Sequence, residues 1–394
     1  MEAYTKLLFF WSINVIHARI YLRNRFRKTP ENCLFSLQLV HFVQQRLFRT
    51  LNINLLNGTT IKQLAKELNL SAGSVSKALK DSHEISSETK QKVLALAAKY
   101  HYTPNPYASS LRKRKSKTIA VVLPEVADSF FSLAINGIES VAQAKGYHVL
   151  IYLSHEDFKR EEQILSAFRS GRVDGILISV SEETSQADHI KEVLTAGIPV
   201  VFFDRIFDDI EAAKISTNDF EGAYEATRCL LERGCKKISF LSIAANLSIT
   251  SKRVQGFQKA LHDAHIGATD ADVLLCSNDM EQNCRLIRQL LEQRDKPDGI
   301  IASVEKLVTP VYLVSKQLGM AIPDDLKVIG FTNLHSASIL EPSLTTVTQP
   351  AFEIGKTAAS VLFKGLEEKH FTLSAQTITI PSMLVERAST RGNQ

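Results

Sequence analysis

Ser71, Ala72, Gly73, Ser74, Ser76 and Lys77 crowd into one short stretch, LNLSAGSVSKALK. Their side chains suit contact with a nucleic-acid backbone and groove. Small residues let a helix start lie against base edges, serine hydroxyls bond phosphate oxygens, and a lysine ammonium reaches guanine O6 and N7. Gly73 has no side chain to read a base, so direct readout here would be modest. A second concentration of donors, Arg112-Lys113-Arg114-Lys115, is fitted to phosphates. Enzyme chemistry finds no comparable foothold: there is no GxGxxG after a strand, no Walker loop, no HExxH and no GxSxG elbow. His155-Glu156-Asp157 is polar but reads as a loop and helix cap. No catalytic residue, cofactor or metal is expected.

Short helices must position the first stretch. Ile61, Leu64, Ala65 and Leu68 recur at helical spacing, and Thr60 with Gln63 forms a capping box. Asn69-Leu70-Ser71 breaks the pattern, and Ser71 is suited to cap a second helix with Val75, Ala78 and Leu79 inward. Ser86-Ser87 opens a third, with Val93, Leu94, Ala97 and Ala98 on its buried side. Two helices joined by so tight a turn look like a helix-turn-helix. Farther on, Asn105 is a good N-cap and Pro106 fits a first helical position. That helix would be barely two turns long and would fold only when packed against a partner or DNA.

Charge follows the same division. Residues 59–117 carry twelve Lys/Arg and four Asp/Glu, a surplus of +8, and residues 1–58 carry eight and two, a surplus of +6. The remaining 27 basic and 36 acidic groups give −9. A basic module beside an acidic body points to nucleic acid contacted at one end. Mean hydropathy of −0.04 argues against a multi-span membrane protein. Five cysteines with no CxxC pair suit reduced, packed thiols in a cytoplasm. The apolar run Leu7–Ile16 is too short to span a bilayer. Residues 1–58 show no sustained period and are read as an extension before a native start near Leu55–Thr59; intact mass spectrometry of the native protein tests this.

From Thr118 short apolar runs alternate with amphipathic segments. Strands are expected at Ile119–Leu123, His148–Leu153, Gly175–Ser179, Pro199–Asp204, Lys237–Ser242, Asp272–Cys276, Gly299–Ser303 and Lys327–Phe331, with helices such as Phe131–Lys145 and Lys252–Ala264 between them. Alternation of this kind implies parallel sheets covered on both faces. Val173-Asp174-Gly175-Ile176 recurs as Pro297-Asp298-Gly299-Ile300, which supports two similar lobes. The expected fold class is α/β: an all-α helix-turn-helix module followed by a two-lobed, doubly wound parallel-sheet core.

TIKQLAKELNLSAGSVSKALKDSHEISSETKQKV followed by YTPNPYASSL resembles the N-terminal module of the lactose/galactose-repressor (LacI/GalR) family of bacterial transcription regulators. The pattern is met at Val75-Ser76-Lys77, Ile85-Ser86, Thr89-Lys90 and Tyr102–Leu111, closely from Thr60 to Lys117 and loosely to Arg387. The resemblance implies DNA contacts from Thr60, Thr89, Tyr102, Asn105 and Ala108 as well as the Ser71–Lys77 set, with Leu111 wedged into a minor-groove step. Lys77 stands where Arg is commonest, which weakens bidentate guanine recognition; Ala72 and Gly73 replace bulkier readers. The implied domains are a helix-turn-helix at 59–103, a hinge at 104–117, a core at 118–387 and a tail at 388–394. Within the core, lobe 1 is expected at 118–217 and 350–375, and lobe 2 at 218–349 and 376–387.

By the same resemblance the core is similar to periplasmic sugar-binding proteins and takes an effector between its lobes. Matching positions are Asp128, Phe130, Phe131, Asp204, Asn218, Arg253, Glu305, Thr332 and Gln349. Carboxylates and an arginine suit hydroxyls, and a phenylalanine suits the apolar face of a ring, so a sugar or sugar derivative is implied. Val304-Glu305-Lys306 stands where the family usually has Asp, and Phe331-Thr332-Asn333 replaces the usual Tyr-Asp, which would reject many ordinary sugars. The expected partner is a palindromic double-stranded operator bound by a homodimer, with no membrane. The rival class is an exported solute-binding receptor without DNA binding.

Overall fold

The computed structural model describes residues 59–103, 116–267, 273–367 and 375–391. The segment 1–58, the basic run at 112–115 and the hinge residues Asn105, Ala108 and Leu111 lie outside them. The chain divides into two units, Met1–Pro106 and Tyr107–Gln394. In the first, helices α1 (Ile61–Glu67), α2 (Ala72–Leu79) and α3 (Ser87–Lys99) enclose Leu64, Ala65, Val75, Ala78, Val93 and Ala97. Each helix begins at a hydroxyl that accepts a backbone N–H three residues on: Thr60 from Gln63, Ser71 from Ser74, Ser86 from Thr89. Thr60 and Gln63 form the expected reciprocal box. Asn69 turns the chain between α1 and α2 at φ 53°, a left-handed conformation that asparagine tolerates. One phase differs from expectation. Leu94 is 53% exposed and Ala98 is also exposed, while Leu96 joins Val93 and Ala97 at the core. The i, i+3, i+4 stripe therefore starts at Val93 and leaves Leu94 on the outer face.

The second unit carries two parallel sheets. The first is built from β1 (Thr118–Leu123), β2 (His148–Leu153), β3 (Gly175–Ile178), β4 (Val200–Phe203) and β5 (Ala213–Thr217), with α4 (Ser129–Ala144), α5 (Phe158–Phe168) and α6 (Asp188–Thr195) between strands. The second follows α7 (Asp219–Glu232) with β6 (Ile238–Ser242), α8 (Ser248–Asp263), β7 (Val273–Leu275), α9 (Met280–Leu291), β8 (Gly299–Ala302), α10 (Val308–Gln317), β9 (Lys327–Phe331) and β10 (Thr345–Thr348). The chain then forms α11 (Ala351–Glu367), β11 (Thr377–Ile380) and β12 (Met383–Val385). Strand orders are β11-β5-β4-β3-β1-β2 and β12-β10-β9-β8-β6-β7, all parallel but the β10–β12 pair. Alternation along each strand divides the core into layers. On β1, Ile119, Val121 and Leu123 face α4 and α11, whereas Ala120 and Val122 join residues of α5 and α6.

The repeated Asp-Gly motif does the same work in both lobes. Asp174 accepts the N–H groups of Ser116 and Lys117 and the Ser116 hydroxyl, just ahead of β1. Asp298 accepts the N–H groups of Lys236 and Lys237, just ahead of β6. Each carboxylate thus ties down the entry to the strand beside its own.

Three crossings join the lobes, and two corrections arise there. Lobe 1 takes 118–217 and α11 as expected, but β11 pairs with β5 of lobe 1, so 376–387 does not belong wholly to lobe 2; only β12 does. The Thr-Ile-Thr-Ile alternation of β11 supplies an edge strand, not a buried one. Nor does a free tail begin at 388: Ser389 and Thr390 are fully buried, and Ser389 Oγ donates to Val328 O at 2.6 Å.

Candidate functional site

The cleft between the lobes is lined by Asp128, Phe130, Phe131, Asp204, Arg205, Ile249, Arg253, Val304, Glu305, Phe331, Thr332, Asn333 and Gln349. Eight of the nine residues expected there are thereby brought together. Lobe 1 delivers its share from strand ends. Asp128 follows β1 and caps α4, its Oδ1 accepting Phe130 N–H at 2.8 Å, which places Phe130 and Phe131 in the first turn. Their rings meet edge-on at 5.4 Å. Asp204 follows β4 at φ 61°, a turn that sends its carboxylate and the Arg205 guanidinium into the cleft.

Asn218 is the exception. Its Oδ1 accepts the N–H and hydroxyl of Ser382, both at 2.7 Å. It staples the first crossing to the third and does not line the cleft. Asn333 has the corresponding task at the second crossing, donating to Gln349 O at 2.6 Å and accepting Gln349 N–H at 3.2 Å, while also lining the site. Ile249, also in the lining, escaped the sequence reading. Ile249 sits on α8 one turn before Arg253, a spacing that could have flagged it.

Arginines and carboxylates are unevenly matched. Arg205 binds Glu156 through Nη1, at 2.9 and 2.7 Å. Arg253, 3% exposed, donates to Asp219 Oδ1 at 2.8 Å and Ser303 O at 2.6 Å, and its guanidinium lies 4.4 Å from the Phe331 ring centroid. Both cations thus have their hydrogen-bond partners outside the lining, leaving Asp128 and Asp204 as acceptors. Burial, reinforced by the Glu305 charge, raises the Asp128 carboxyl to about 6. Burial also raises Asp204 to about 7, against the pull of Arg205 and Arg253. Donors are left over as well: Gln349 Nε2 and Arg205 Nε are buried without a hydrogen-bond partner, Arg205 Nε lying 4.0 Å from Asp204 Oδ2.

A raised carboxyl binds its proton more tightly in the folded chain. The stability it lends is present in full below about pH 4 and is lost as pH rises through about 6 for Asp128 and about 7 for Asp204. The melting temperature is therefore expected to fall between about pH 4 and 7, by on the order of 5 °C. Asp204→Asn should remove much of that slope in a calorimetric pH series; an identical slope in the variant would contradict it.

Residues 116–388 match the family model described as periplasmic binding proteins and sugar binding domain of the LacI family. The chain belongs to the LacI family. A ribose operon repressor of Haemophilus influenzae is 30% identical to it over 308 residues, 78% of this chain and 92% of the relative. The HTH-type transcriptional repressor PurR of Yersinia pestis is 30% identical over 335 residues, 84% and 96% of the two chains. A lac repressor dimer solved on its operator with an anti-inducer shares the fold, at TM-score 0.74 and 20% identity over 85% of this chain and 100% of that one. Among the described residues no helix is long and apolar enough to cross a membrane.

In this LacI-family chain the expected DNA contacts within 59–103 fall on α2, on α3, on the N-caps of α1 and α2, and at Tyr102 just after α3. Ser71 and Ser74 bond each other at 2.9 Å, as do Ser86 and Thr89, so Ser71, Ser74 and Thr89 first serve helix starts. Ala72, Gly73 and Ser76 are half-buried along α2. Tyr102 packs against the three-helix core, and burial raises its hydroxyl pKa. Lys77 is exposed and ion-paired with Glu84. His155-Glu156-Asp157 is indeed a loop and cap, Asp157 accepting Arg160 N–H at 3.0 Å.

Proposed function

We propose that the chain is a DNA-binding repressor that reads a two-fold-symmetric operator as a homodimer, under control of a small polyhydroxylated effector held between its lobes. The observation that carries the effector reading is the pairing, in one cleft, of acceptor carboxylates Asp128 and Asp204 with the orphaned donors Gln349 Nε2 and Arg205 Nε. A hydroxyl both donates and accepts, so a polyol meets both sets, and Phe130 or Phe131 suits the apolar face of a sugar ring. Family membership with repressors, one of them named for the ribose operon, agrees with this chemistry. For DNA, α2 presents Ser71–Lys77 at a helix start, and the hinge segment behind it carries the phosphate contacts and Leu111. Exposed Leu150 and Ile151 on edge strand β2, with Leu275 on edge strand β7, support a second copy as the partner, since open apolar edges invite pairing.

Selection of bound fragments from a random duplex pool tests the reading. A two-fold-symmetric consensus is expected, with log affinity falling steeply and linearly against log salt. No preference over random DNA at moderate ionic strength would refute it. Within the module, the exposed Lys77–Glu84 pair contributes little stability, about 0–1 kcal/mol, so Lys77 can exchange Glu84 for DNA. Glu84→Gln removes the competing carboxylate and is expected to tighten binding roughly five-fold at low salt. Weaker binding in the gel-shift assay would place Glu84 among the DNA contacts.

A further inference from the structure

Glu305 leaves β8 in a 3-10 turn of lobe 2, yet its carboxylate is bonded to lobe 1. Oε1 accepts the backbone N–H of Ser129 at 3.1 Å, and Oε2 accepts the Ser129 hydroxyl. Oε2 also accepts Thr332 Oγ1 at 2.6 Å, which anchors it from the lobe 2 side. Ser129 is the first residue of α4, so the anion lies on the positive end of a helix of 16 residues, where unpaired N–H groups and the helix dipole favour negative charge. That is also where a ligand oxygen entering between Asp128 and Phe130 would be received.

Neighbouring groups reinforce the same closure. Lys306 pairs with Glu125 of lobe 1 at 2.7 Å and donates to Asn278 Oδ1 at 2.8 Å. Asn278 in turn donates to Glu182 of lobe 1 at 3.3 Å, and Ser248 Oγ of lobe 2 donates to Ile206 O of lobe 1 at 3.3 Å. With Glu305 in place the cleft keeps about 40 Å³ of free space, far below the ~300 Å³ at which ligand pockets begin.

We propose that Glu305 is an intramolecular competitor of the effector: it occupies the helix terminus where a ligand oxygen would bind, and it clasps the lobes together until it is displaced. The proposal rests on the effector reading of the cleft and adds to it the residue that sets the threshold of response. A ligand must gain access through the population in which Ser129 is released, so its apparent affinity is lowered in proportion to that fraction.

The test measures lobe separation directly, without a ligand. Spin labels at Gln163→Cys of lobe 1 and Gln282→Cys of lobe 2, both exposed, are placed in the full chain with Cys33 and Cys284 replaced by Ser. Electron–electron double resonance then reports their distance distribution. The parent is expected to show one narrow distribution, and Glu305→Ala a shift or broadening of several ångströms with the open form in the majority. Thr332→Val, which removes one anchor of the carboxylate and is milder to folding, should move the distribution the same way by less. Circular dichroism melts separate opening from unfolding; if Glu305→Ala is unfolded, Thr332→Val decides. Unchanged distributions in the folded variants overturn the clasp. Operator selection on the same proteins keeps the two readings apart: specific DNA binding with no change in distance sinks only the clasp, and lobe opening without specific DNA binding sinks only the repressor.

Discussion

Arg253→Ala is expected to cost the second unit about 3–5 kcal/mol of stability, because it breaks a buried ion pair and leaves one partner uncompensated. Asp219 is 2% exposed, and its Oδ1 loses both Arg253 Nε and Nη2, each at 2.8 Å. The Ser303 carbonyl loses a donor at the end of β8, and the Phe331 ring loses the guanidinium stacked on it. A loss of effector response in this variant would therefore arrive together with a loss of folding, and a reporter assay alone would misassign it. Urea unfolding followed by circular dichroism checks the expectation. Removing both charges in an Arg253→Met, Asp219→Leu pair should recover much of the loss, as replacement of a whole buried pair by apolar side chains often does. If Arg253→Ala unfolds at the wild-type urea midpoint while losing the effector response, the guanidinium serves the ligand and not the lobe.

The same residue shows what could be read from the chain alone. Arg253 was expected in the cleft, and it is there, but its partners Asp219, Ser303 and Phe331 come from three other elements of lobe 2, and no local pattern announces that convergence. Strands with continuous apolar runs, such as Thr118–Leu123 with all six residues buried, declared themselves through composition. Ala213–Thr217 did not: it contains Lys214, whose stem is buried while its Nζ donates to Asp208 O at 2.7 Å. Thr345–Thr348 and Thr377–Ile380 are threonine-rich edge-side strands of the same hidden kind. Helix α10 reads as Val-Thr-Pro-Val-Tyr-Leu-Val, a run whose β-branched residues mask a helix held by packing of Val308, Val311 and Val314. Asn218 was misplaced for a related reason. A polar residue after a strand end is a fair ligand candidate, and only the return of the chain at Ser382 reveals that its side chain is already committed.

Close helix packing sets a second large expectation, and it reaches the cleft. A β-carbon built on Gly137 of α4 would stand 2.1 Å from Phe352 O of α11, and one on Gly355 of α11 would stand 2.0 Å from Ala134 O. Lobe 2 repeats the arrangement: a β-carbon on Gly256 of α8 would stand 2.1 Å from Phe220 O of α7. No side-chain rotation relieves a clash with backbone, so the helices must separate by more than an ångström against a close-packed sheet. Gly137→Ala and Gly256→Ala are each expected to cost about 3 kcal/mol, the top of the usual range for overpacking. Gly267→Ala, whose β-carbon meets nothing within 4 Å, should stay within about 0.5 kcal/mol of the parent. The two costly substitutions lie in different lobes and should add. Each also moves the site, because α4 begins at Ser129 with Phe130 and Phe131 behind it, and α8 carries Ile249 and Arg253 in the turns before Gly256. A Gly256→Ala protein that unfolds with the parent would show slack between α7 and α8, and Arg253 would then owe its position to Asp219 and Ser303 rather than to the contact between the two helices.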